Sequence, residues 1–432
     1  MNRRLIPQII GIIQGDETDW EEAAATMADV YEGAVITIAA AWSSSSEDGC
    51  FVPAALDMAL SEGGLYLKDR LYYFPRHLAD SLDSRWPLFQ RAWVYQERKL
   101  STRILHFGKQ QLFWECNSTL LSESDMEGSE HGFTGLKSHF VEEDPESGWR
   151  NVVAHYSKLR LTYNKDRLPA ISAVVKRMQR LRQDDVYIAG MWEKTLHHDL
   201  CWFTAHGTDL ARPDRSGTVM PSWSWISVSP GVFYDNDLVP LLSPDDITVV
   251  YNITGPAHIG QVSHASIHLK ARFLVVKPHL TDWDPFRTLE HPDGIWGNDG
   301  PLLKIDYTLS GWDFDFRTAD PPMNTDETFV ALLLSIHHRD YYSCIILREL
   351  AKEQFERVGY LAFKDPERSD ESESESGSGS ESESGSESES GSGSESEPES
   401  ESGSEPEPES GSEPEPQPAW LMELPIGEFT IV

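Results

Sequence analysis

The stretch "TDWEEAAATMADVYEGAVITIAAA", Thr18 to Ala41, decides the fold class of the N-terminal region. Its apolar residues recur at helical spacing from Trp20 to Ala34, so it predicts a helix with one packed face. The run "AVITIAAA" then predicts a buried strand, and Leu5 to Ile13 predicts another strand before the helix. Strand, helix and strand within about 45 residues are typical of a βαβ unit in a parallel sheet.

The following segments predict a mixture of short elements. "GLYLKDRLYYF" indicates a hairpin or an edge pair of strands, "PLFQRAWVYQERKLS" a short helix, and "RILHFG" with "QLFWEC" two strands joined at a Gly-Lys turn. Helical periodicity covers Trp149 to Leu181 and Tyr187 to Thr204. From Pro221 onward the runs are short and rich in β-branched residues, which predicts strands.

These patterns divide the chain into six parts. We expect an α/β domain at 1–118, a polar linker at 119–148, a helical region at 149–220, a β-rich region at 221–367, an insertion at 368–418 and a final strand within 419–432. The insertion consists of Glu, Ser, Gly and Pro, and it cannot bury enough apolar surface to offset its ordering entropy, so it predicts disorder. Because "ERVGYLAF" precedes it and "GEFTIV" follows it, the simplest arrangement is a hairpin with an enlarged loop.

Composition argues against several classes of function. The net charge is −35, and residues 370–415 hold 17 of the acidic residues and no Lys or Arg. A globular part that remains acidic is a poor binder of phosphate backbones, so nucleic acid is not an expected partner. Four widely spaced cysteines indicate a reducing compartment, which predicts a cytoplasmic protein. The N-terminal apolar run is broken by Pro7 and Gln8 and no run of 18 apolar residues occurs, so neither secretion nor a membrane span is predicted.

Two ordered blocks carry a resemblance to a known family. "IIQGDETDWEEAAATMADVYEGAVITIAAA" and "PLFQRAWVYQERKLSTRILHFGKQQLFWEC" resemble the second and third blocks of the fungal heterokaryon incompatibility (HET) domain. "YSKLRLTYNKDRLPAISAV" and "PSWSWISV" are similar to segments that follow this domain in large members. The family's first block is absent before Ile13, so the resemblance implies an N-terminally truncated domain, with an inactive fragment as one alternative.

The resemblance implies a fold and a role. HET domains are likened to the TIR fold, so a TIR-like parallel sheet with helices is expected at the N-terminus. The implied function is non-self recognition or programmed cell death signalling through protein contacts. The implied partners are other incompatibility or signalling proteins, with self-association as an alternative. No cofactor is implied.

The resemblance also implies a second, enzymatic hypothesis. Some TIR domains cleave NAD with a glutamate at W-x-x-x-E spacing, and Trp93 and Glu97 have this spacing. Residues i and i+4 share a helix face, so the indole could wall a pocket for the carboxylate. A carboxylate can stabilise the oxocarbenium-like state of glycosidic cleavage. The structural alternative is that Glu97 pairs with Arg91 or Arg98 while Trp93 packs in the core, and we favour it.

Further candidate binding residues surround this motif. Gln96 belongs to the same block. Arg91 and Arg103 could bind a phosphate or a partner's carboxylate, although we favour ordinary surface ion pairs for both arginines. Asp16 and Asp19 follow the first predicted strand, where α/β sheets bind ligands, although capping of the next helix explains them as well.

Several other motifs predict no site. The pairs His197-His198 and His337-His338 cannot chelate alone, because adjacent side chains diverge on helices and strands, so no metal is expected. "SWSWIS" predicts a strand with two tryptophans on one face, in core packing rather than ligand stacking. Ser222 lacks the G-x-S-x-G setting of a hydrolase nucleophile.

Overall fold

The computed structural model describes residues 26–45, 47–50, 65–67, 70–72, 86–108, 112–122, 144–204, 220–228, 231–235, 238–278, 288–290, 303–304, 311–312, 326–337, 341–365 and 418–432. Of these, the residues up to Phe363 and from Pro425 onward belong to one compact unit. Lys364, Asp365 and residues 418–424 belong to a second unit. In the second unit the indole Nε1 of Trp420 donates a hydrogen bond to Asp365 Oδ1 at 3.1 Å.

The helices of the described residues are short. They are α1 (26–32), α2 (Ala92–Leu100), α3 (Pro145–Tyr156), α4 (Ser172–Leu181), α5 (Leu196–Asp199) and α6 (Ala419–Glu423). The predicted helix over Trp149 to Leu181 is therefore divided in two. Single 3-10 turns at Asn164–Asp166 and Pro169–Ile171 lie between α3 and α4, and Pro169 cannot continue a preceding helix because it lacks an N–H.

The N-terminal sheet has four strands in the described residues. They are β1 (Thr37–Ala39), β4 (Arg103–Phe107), β5 (Leu112–Cys116) and β6 (Leu120–Ser122), in that spatial order. β1 and β4 are parallel, and the two other pairings are antiparallel. The predicted hairpin of "GLYLKDRLYYF" is confirmed as β2 (Leu65–Leu67) and β3 (Arg70–Tyr72). The predicted strand before α1 lies outside the described residues.

Residues 187–204 differ from the predicted helix. β7 (Tyr187–Ile188) and β8 (Met191–Trp192) form a tight antiparallel hairpin before α5. Ala189 and Gly190, at its turn, have φ of 48° and 89°, which a helix cannot contain. A Cβ on Gly190 would lie 2.6 Å from Ile226 Cδ1, so this position requires glycine.

The predicted strand "SWSWIS" is also wrong. Trp225–Ser227 is a 3-10 turn, and the Ser224 hydroxyl accepts a hydrogen bond from the Ile226 N–H at 3.1 Å. Ser227 Oγ donates to the Ser224 carbonyl at 2.7 Å. Serine hydroxyls compete with sheet pairing in this way. The predicted core role of Trp223 and Trp225 is confirmed, because both side chains are fully buried.

The C-terminal half is rich in strands, as predicted. The strands are β9 (Phe203–Thr204), β10 (Val232–Phe233), β11 (Leu238–Pro240), β12 (Ile247–Ile253), β13 (Val262–Pro278), β14 (Thr288–Glu290), β15 (Leu303–Lys304), β16 (Gly311–Trp312), β17 (Phe329–His337), β18 (Tyr341–Ala351), β19 (Gln354–Lys364) and β20 (Ile426–Ile431). Successive pairings run from β17 through β18, β19, β20 and β13 back to β17, which closes these strands into a small barrel.

The pairing of β20 corrects one prediction. β20 lies beside β19, as the enlarged hairpin requires, but the two strands are parallel, with Gln354 opposite Thr430. A hairpin joins antiparallel strands, whereas parallel neighbours need a crossover connection. β20 is antiparallel to β13 instead, over Ile267–Arg272. Residues 366–417, with most of the acidic insertion, lie outside the described residues.

The largest hydrophobic core joins the middle of the chain to the barrel. It contains aromatic residues from α3 and the β7–β8 hairpin, and aliphatic residues from β13, β17 and β18. Arg357 of β19 adds a polar link, because its Nη1 donates to the Leu200 carbonyl at 2.7 Å and its guanidinium lies 3.3 Å from the centre of the Trp202 ring.

Candidate functional site

The candidate site is built on α2, whose two ends are held by neighbouring segments. The helix begins after Arg91, where the Ala92 N–H donates to the Arg160 carbonyl at 3.0 Å. It ends at Ser101, whose hydroxyl donates to the Glu97 carbonyl at 2.7 Å. The same hydroxyl lies 2.8 Å from Thr37 Oγ1 of β1. The W-x-x-x-E motif is therefore fixed relative to the N-terminal sheet.

Glu97 lies half-buried between α2 and α1. The Tyr31 hydroxyl donates a hydrogen bond to its carboxylate. Burial raises the pKa of the Glu97 carboxyl, and the Tyr31 hydrogen bond and the positive charge of Arg91 oppose this rise. The structure thus gives Glu97 a tyrosine donor and places the exposed Arg91 guanidinium within electrostatic range. A carboxyl in this setting can accept a further hydrogen bond or face a developing positive charge.

Arg98, the other expected partner of Glu97, is engaged elsewhere. Its Nε lies 2.9 Å from Glu115 Oε2, and the same oxygen lies 2.7 Å from His106 Nε2. His106 and Glu115 are buried on the inner face of β4 and β5. The Phe89 ring lies against both side chains, 4.6 Å from the Arg98 guanidinium and edge-on to the His106 ring. Of the two arginines expected as partners, Arg91 is the one whose positive charge lowers the pKa of Glu97.

Trp93 is also used structurally. Its indole Nε1 donates to Asp166 Oδ2 at 3.3 Å, and its ring packs against the largest core. Burial raises the pKa of Asp166, while the Trp93 hydrogen bond and the charge of Lys165 lower it. Trp93 thus ties α2 to the turn before α4, and this contact brings Asp166 to the edge of the candidate site.

Gln96 is fully buried and connects three helices. Its Nε2 donates to Met27 Sδ of α1 at 2.8 Å, and its Oε1 accepts from the Ala173 N–H at 3.2 Å. Ala173 lies in the first turn of α4, where N–H groups have no partner within the helix, and Ile171 at the N-cap provides no side-chain acceptor. Gln96 therefore supplies the acceptor that this helix end lacks.

The remaining predicted residues are separate from this cluster or outside the described chain. Arg103 begins β4, is exposed and lies opposite Cys116 in the sheet register. Asp16 and Asp19 lie outside the described residues. Within the part of the chain that the structure describes, no group of three His, Cys, Asp or Glu side chains could hold a metal ion. No helix among these residues is long and apolar enough to cross a membrane.

Sequence reasoning did not identify the cluster of Arg98, His106 and Glu115. Its signal is the strand alternation, because Ile104 and His106 on β4 and Phe113 and Glu115 on β5 all occupy buried positions of one face. A glutamate at an inward position needs a cationic partner, and the arginine of the preceding helix supplies it.

A second buried polar cluster, the Asp199 cluster, lies between α3, α5 and the β7–β8 hairpin. Its members are Arg150, Arg182, Asp185, Thr195 and Asp199. Asp199 Oδ2 accepts from Thr195 Oγ1 at 3.1 Å, and Thr195 Oγ1 accepts from Arg182 Nη2 at 2.9 Å. Arg182 pairs with Asp185 at 2.6 Å, and Arg150 Nη1 lies 3.8 Å from Asp199 Oδ1. Burial raises the pKa of Asp199 to about 6, although Arg150 opposes the rise.

The model of a family described as heterokaryon incompatibility protein (HET) matches residues 8–97, which ends at the glutamate of the candidate site. No curated protein and no solved structure matches the chain.

Proposed function

Because the chain is a heterokaryon incompatibility (HET) domain protein, we propose that it acts in fungal non-self recognition or programmed cell death signalling through protein contacts. The observation that carries this proposal is the use of the motif side chains. Gln96 and Trp93 bind Met27, Ala173 and Asp166 within the chain. Because these side chains stabilise the packing between helices, we propose that they maintain the shape of a surface that a partner binds.

The surface around β1 supports contacts with other proteins. β1 is at the edge of the described sheet, and Val35, Ile36 and Ile38 beside it are 46%, 40% and 52% exposed. Neighbouring exposed apolar side chains are typical of protein contact sites. The partner that we propose is another incompatibility or signalling protein, with self-association as the alternative.

The proposal includes a fold and a compartment. We propose a TIR-like arrangement for the N-terminal domain, which the parallel pairing of β1 and β4 and the preceding helix support. We propose the cytoplasm as its location, in keeping with four cysteines that form no disulfide in the structure.

Expression in a filamentous fungus tests the signalling role. We expect the wild-type chain to reduce colony growth and Ile38→Glu to abolish this effect, because a charge on the β1 surface disfavours an apolar contact. Val250→Glu is the matched control, since Val250 is 48% exposed on β12, and it should remain toxic. Equal toxicity of all three chains, with equal protein levels, would contradict a contact through β1.

A second candidate function rests on Glu97. Its half-buried carboxyl has a raised pKa, a tyrosine donor and a nearby cation, features that also occur in catalytic carboxyls. In the NAD glycohydrolase hypothesis, Glu97 would stabilise the oxocarbenium-like ribosyl group while water replaces nicotinamide, which releases ADP-ribose and a proton. Arg91 would contact the diphosphate.

Nicotinamide release from NAD separates the two functions. Release by the purified chain that disappears in Glu97→Gln and persists in Asp29→Asn, an exposed carboxylate of α1, would support the enzyme. Fungal toxicity that persists in Glu97→Gln would rule out this chemistry as its cause.

A further inference from the structure

Two exposed arginines lie side by side at the start of α2. Arg91 and Arg160 form an isolated parallel bridge between the segment before α2 and the segment after α3. The Arg160 N–H donates to the Gln90 carbonyl at 2.7 Å, and the Ala92 N–H donates to the Arg160 carbonyl at 3.0 Å. Residues paired in this way have side chains on the same side of the two segments, with Cα atoms about 5 Å apart. The backbone therefore holds both arginine side chains next to each other.

Contacts within the described part of the chain leave both guanidinium groups available. Both residues are exposed, and neither side chain donates a hydrogen bond to a described residue. Arg91 interacts electrostatically with Glu97, whereas the Arg160 side chain forms no ion pair with the residues that the structure describes. Like charges directly opposite each other on paired segments repel and destabilise the fold. An anion that binds both guanidinium groups would offset this repulsion.

The presence of two guanidinium groups favours a phosphate monoester over a carboxylate as this anion. One guanidinium binds two oxygens at once through parallel N–H groups, so a single arginine is enough for a carboxylate. A phosphate monoester has three terminal oxygens and a charge of about −1.5 to −2 at pH 7, so it can bind both arginines together. A nucleic acid presents phosphodiesters with one charge each, and a chain with a net charge of −35 repels such a polyanion.

The exposure of the two arginines indicates what carries the phosphate. Small ligands bind in concave pockets that bury most of their surface, whereas Arg91 and Arg160 are both exposed. Arginine clusters recur as recognition sites for phosphorylated protein segments. From this combination we propose that Arg91 and Arg160 bind a phosphorylated residue in a segment of a partner protein. The inference rests on the proposed signalling function, since it names the chemistry that the partner presents.

Fluorescence anisotropy with the purified full chain tests the proposal. The probe is a fluorescein-labelled peptide of glycine and alanine with one central phosphoserine, and the same peptide with serine is its unphosphorylated counterpart. We expect the phosphopeptide to bind more tightly by about tenfold or more. Arg91→Gln and Arg160→Gln should each weaken its binding about tenfold, because each removes a charged donor. Arg180→Gln, at another exposed arginine, is the control and should not change binding. Equal binding of both peptides, or equal effects of all three replacements, would overturn the proposal.

Two further measurements separate a binding role from a structural one. Arg160→Lys keeps the positive charge but lacks the planar guanidinium, so phosphopeptide binding should weaken, though less than in Arg160→Gln. Urea unfolding should show that Arg160→Gln is as stable as the wild type or slightly more stable, because the repulsion from Arg91 is removed. A clear loss of stability in Arg160→Gln, with unchanged phosphopeptide binding by its folded form, would assign Arg160 to the fold and contradict the proposal.

Competition identifies the source of the phosphate and separates this inference from the proposed functions. Inorganic phosphate and ADP should displace the phosphopeptide only at concentrations well above that of the unlabelled phosphopeptide. Tighter binding of ADP would overturn the assignment to a partner segment and would support the diphosphate contact of the NAD hypothesis. Because peptide binding is measured without fungal cells, a toxic chain that binds no phosphopeptide would contradict this site alone. A chain that binds the phosphopeptide without toxicity would contradict the signalling role alone.

Discussion

Gln96 donates a hydrogen bond to the sulfur of Met27 at 2.8 Å. Met27 and Gln96 both lie within the HET match, in the two sequence stretches that resemble the second and third blocks of the domain, so this contact joins the two stretches across 69 positions. The hydrogen bond from Tyr31 to Glu97 joins the same two helices. Both hydrogen bonds therefore belong to one contact between α1 and α2.

Replacement of Gln96 by leucine should destabilise the chain. Leucine has a similar size but leaves the buried Ala173 N–H without its acceptor, and an unsatisfied buried donor costs about 1–3 kcal/mol. Urea unfolding measures the loss. Gln183→Leu is the control, because Gln183 is exposed and its replacement should change the free energy of unfolding by less than about 0.5 kcal/mol. Equal effects of both changes would show that Gln96 has no special role.

The ion pair of Arg98 and Glu115 should show strong coupling. Arg98→Met alone leaves the Glu115 carboxylate buried beside the His106 ring without the Arg98 guanidinium, and loss of a buried partner costs about 3–5 kcal/mol. The double variant Arg98→Met with Glu115→Leu should recover part of this loss, because the buried charge is gone. A double-mutant cycle measures the coupling, and simple additivity would contradict a shared network.

Local sequence patterns predicted the N-terminal elements well. The strands of "RILHFG" and "QLFWEC" and the helix containing Trp93 occur where predicted, because apolar alternation and helical spacing decide elements that pack on one face. The hairpin at Tyr187–Trp192 was missed because Ala189, a good helix former, takes a positive φ there. That conformation depends on packing around Gly190, which propensities do not contain.

Long-range relationships could not be predicted in the same way. The spacing of Trp93 and Glu97 correctly suggests a shared helix face, but the partners of these residues, Asp166 and Tyr31, lie 73 and 66 positions away. The parallel pairing of β19 and β20 likewise depends on β13, which binds β20 on its other side. The packing of the folded core determines these partners, and the neighbouring residues in the sequence do not.

Arg357 should be essential to the junction between residues 200–202 and the barrel. It donates to the carbonyls of Leu200 and Trp202 and stacks on the Trp202 ring. Arg357→Lys retains the positive charge, but lysine lacks the planar guanidinium that donates to two carbonyls at once. The replacement should therefore destabilise the folded chain. We expect a loss of about 2–4 kcal/mol in urea unfolding for Arg357→Lys. Arg103→Lys, on the exposed start of β4, is the control and should be neutral. A neutral Arg357→Lys would show that charge alone suffices.

The buried carboxyl of Asp199 should make stability depend on pH. Its pKa rises from 3.8 to about 6 in the folded chain, mainly because burial disfavours the charged form. The folded state therefore binds the proton more tightly than the unfolded state, so protonation of Asp199 stabilises the fold. The stabilisation by the protonated Asp199 carboxyl is complete below the pKa that this group has in the unfolded chain. It is lost as the pH rises through about 6. The difference corresponds to about 3 kcal/mol.

Urea unfolding between pH 7 and pH 4 tests this, with Asp199→Asn as the reference, because asparagine keeps the size but does not titrate. The free energy of unfolding of the wild type should rise relative to that of the variant as the pH falls, and most of the rise should occur between pH 6 and pH 4. Asp184→Asn controls for charge, since Asp184 is exposed, and its difference from the wild type should stay nearly constant over this range. If the wild type instead loses stability relative to Asp199→Asn on acidification, the attraction between Arg150 and ionised Asp199 outweighs the cost of burying the carboxylate.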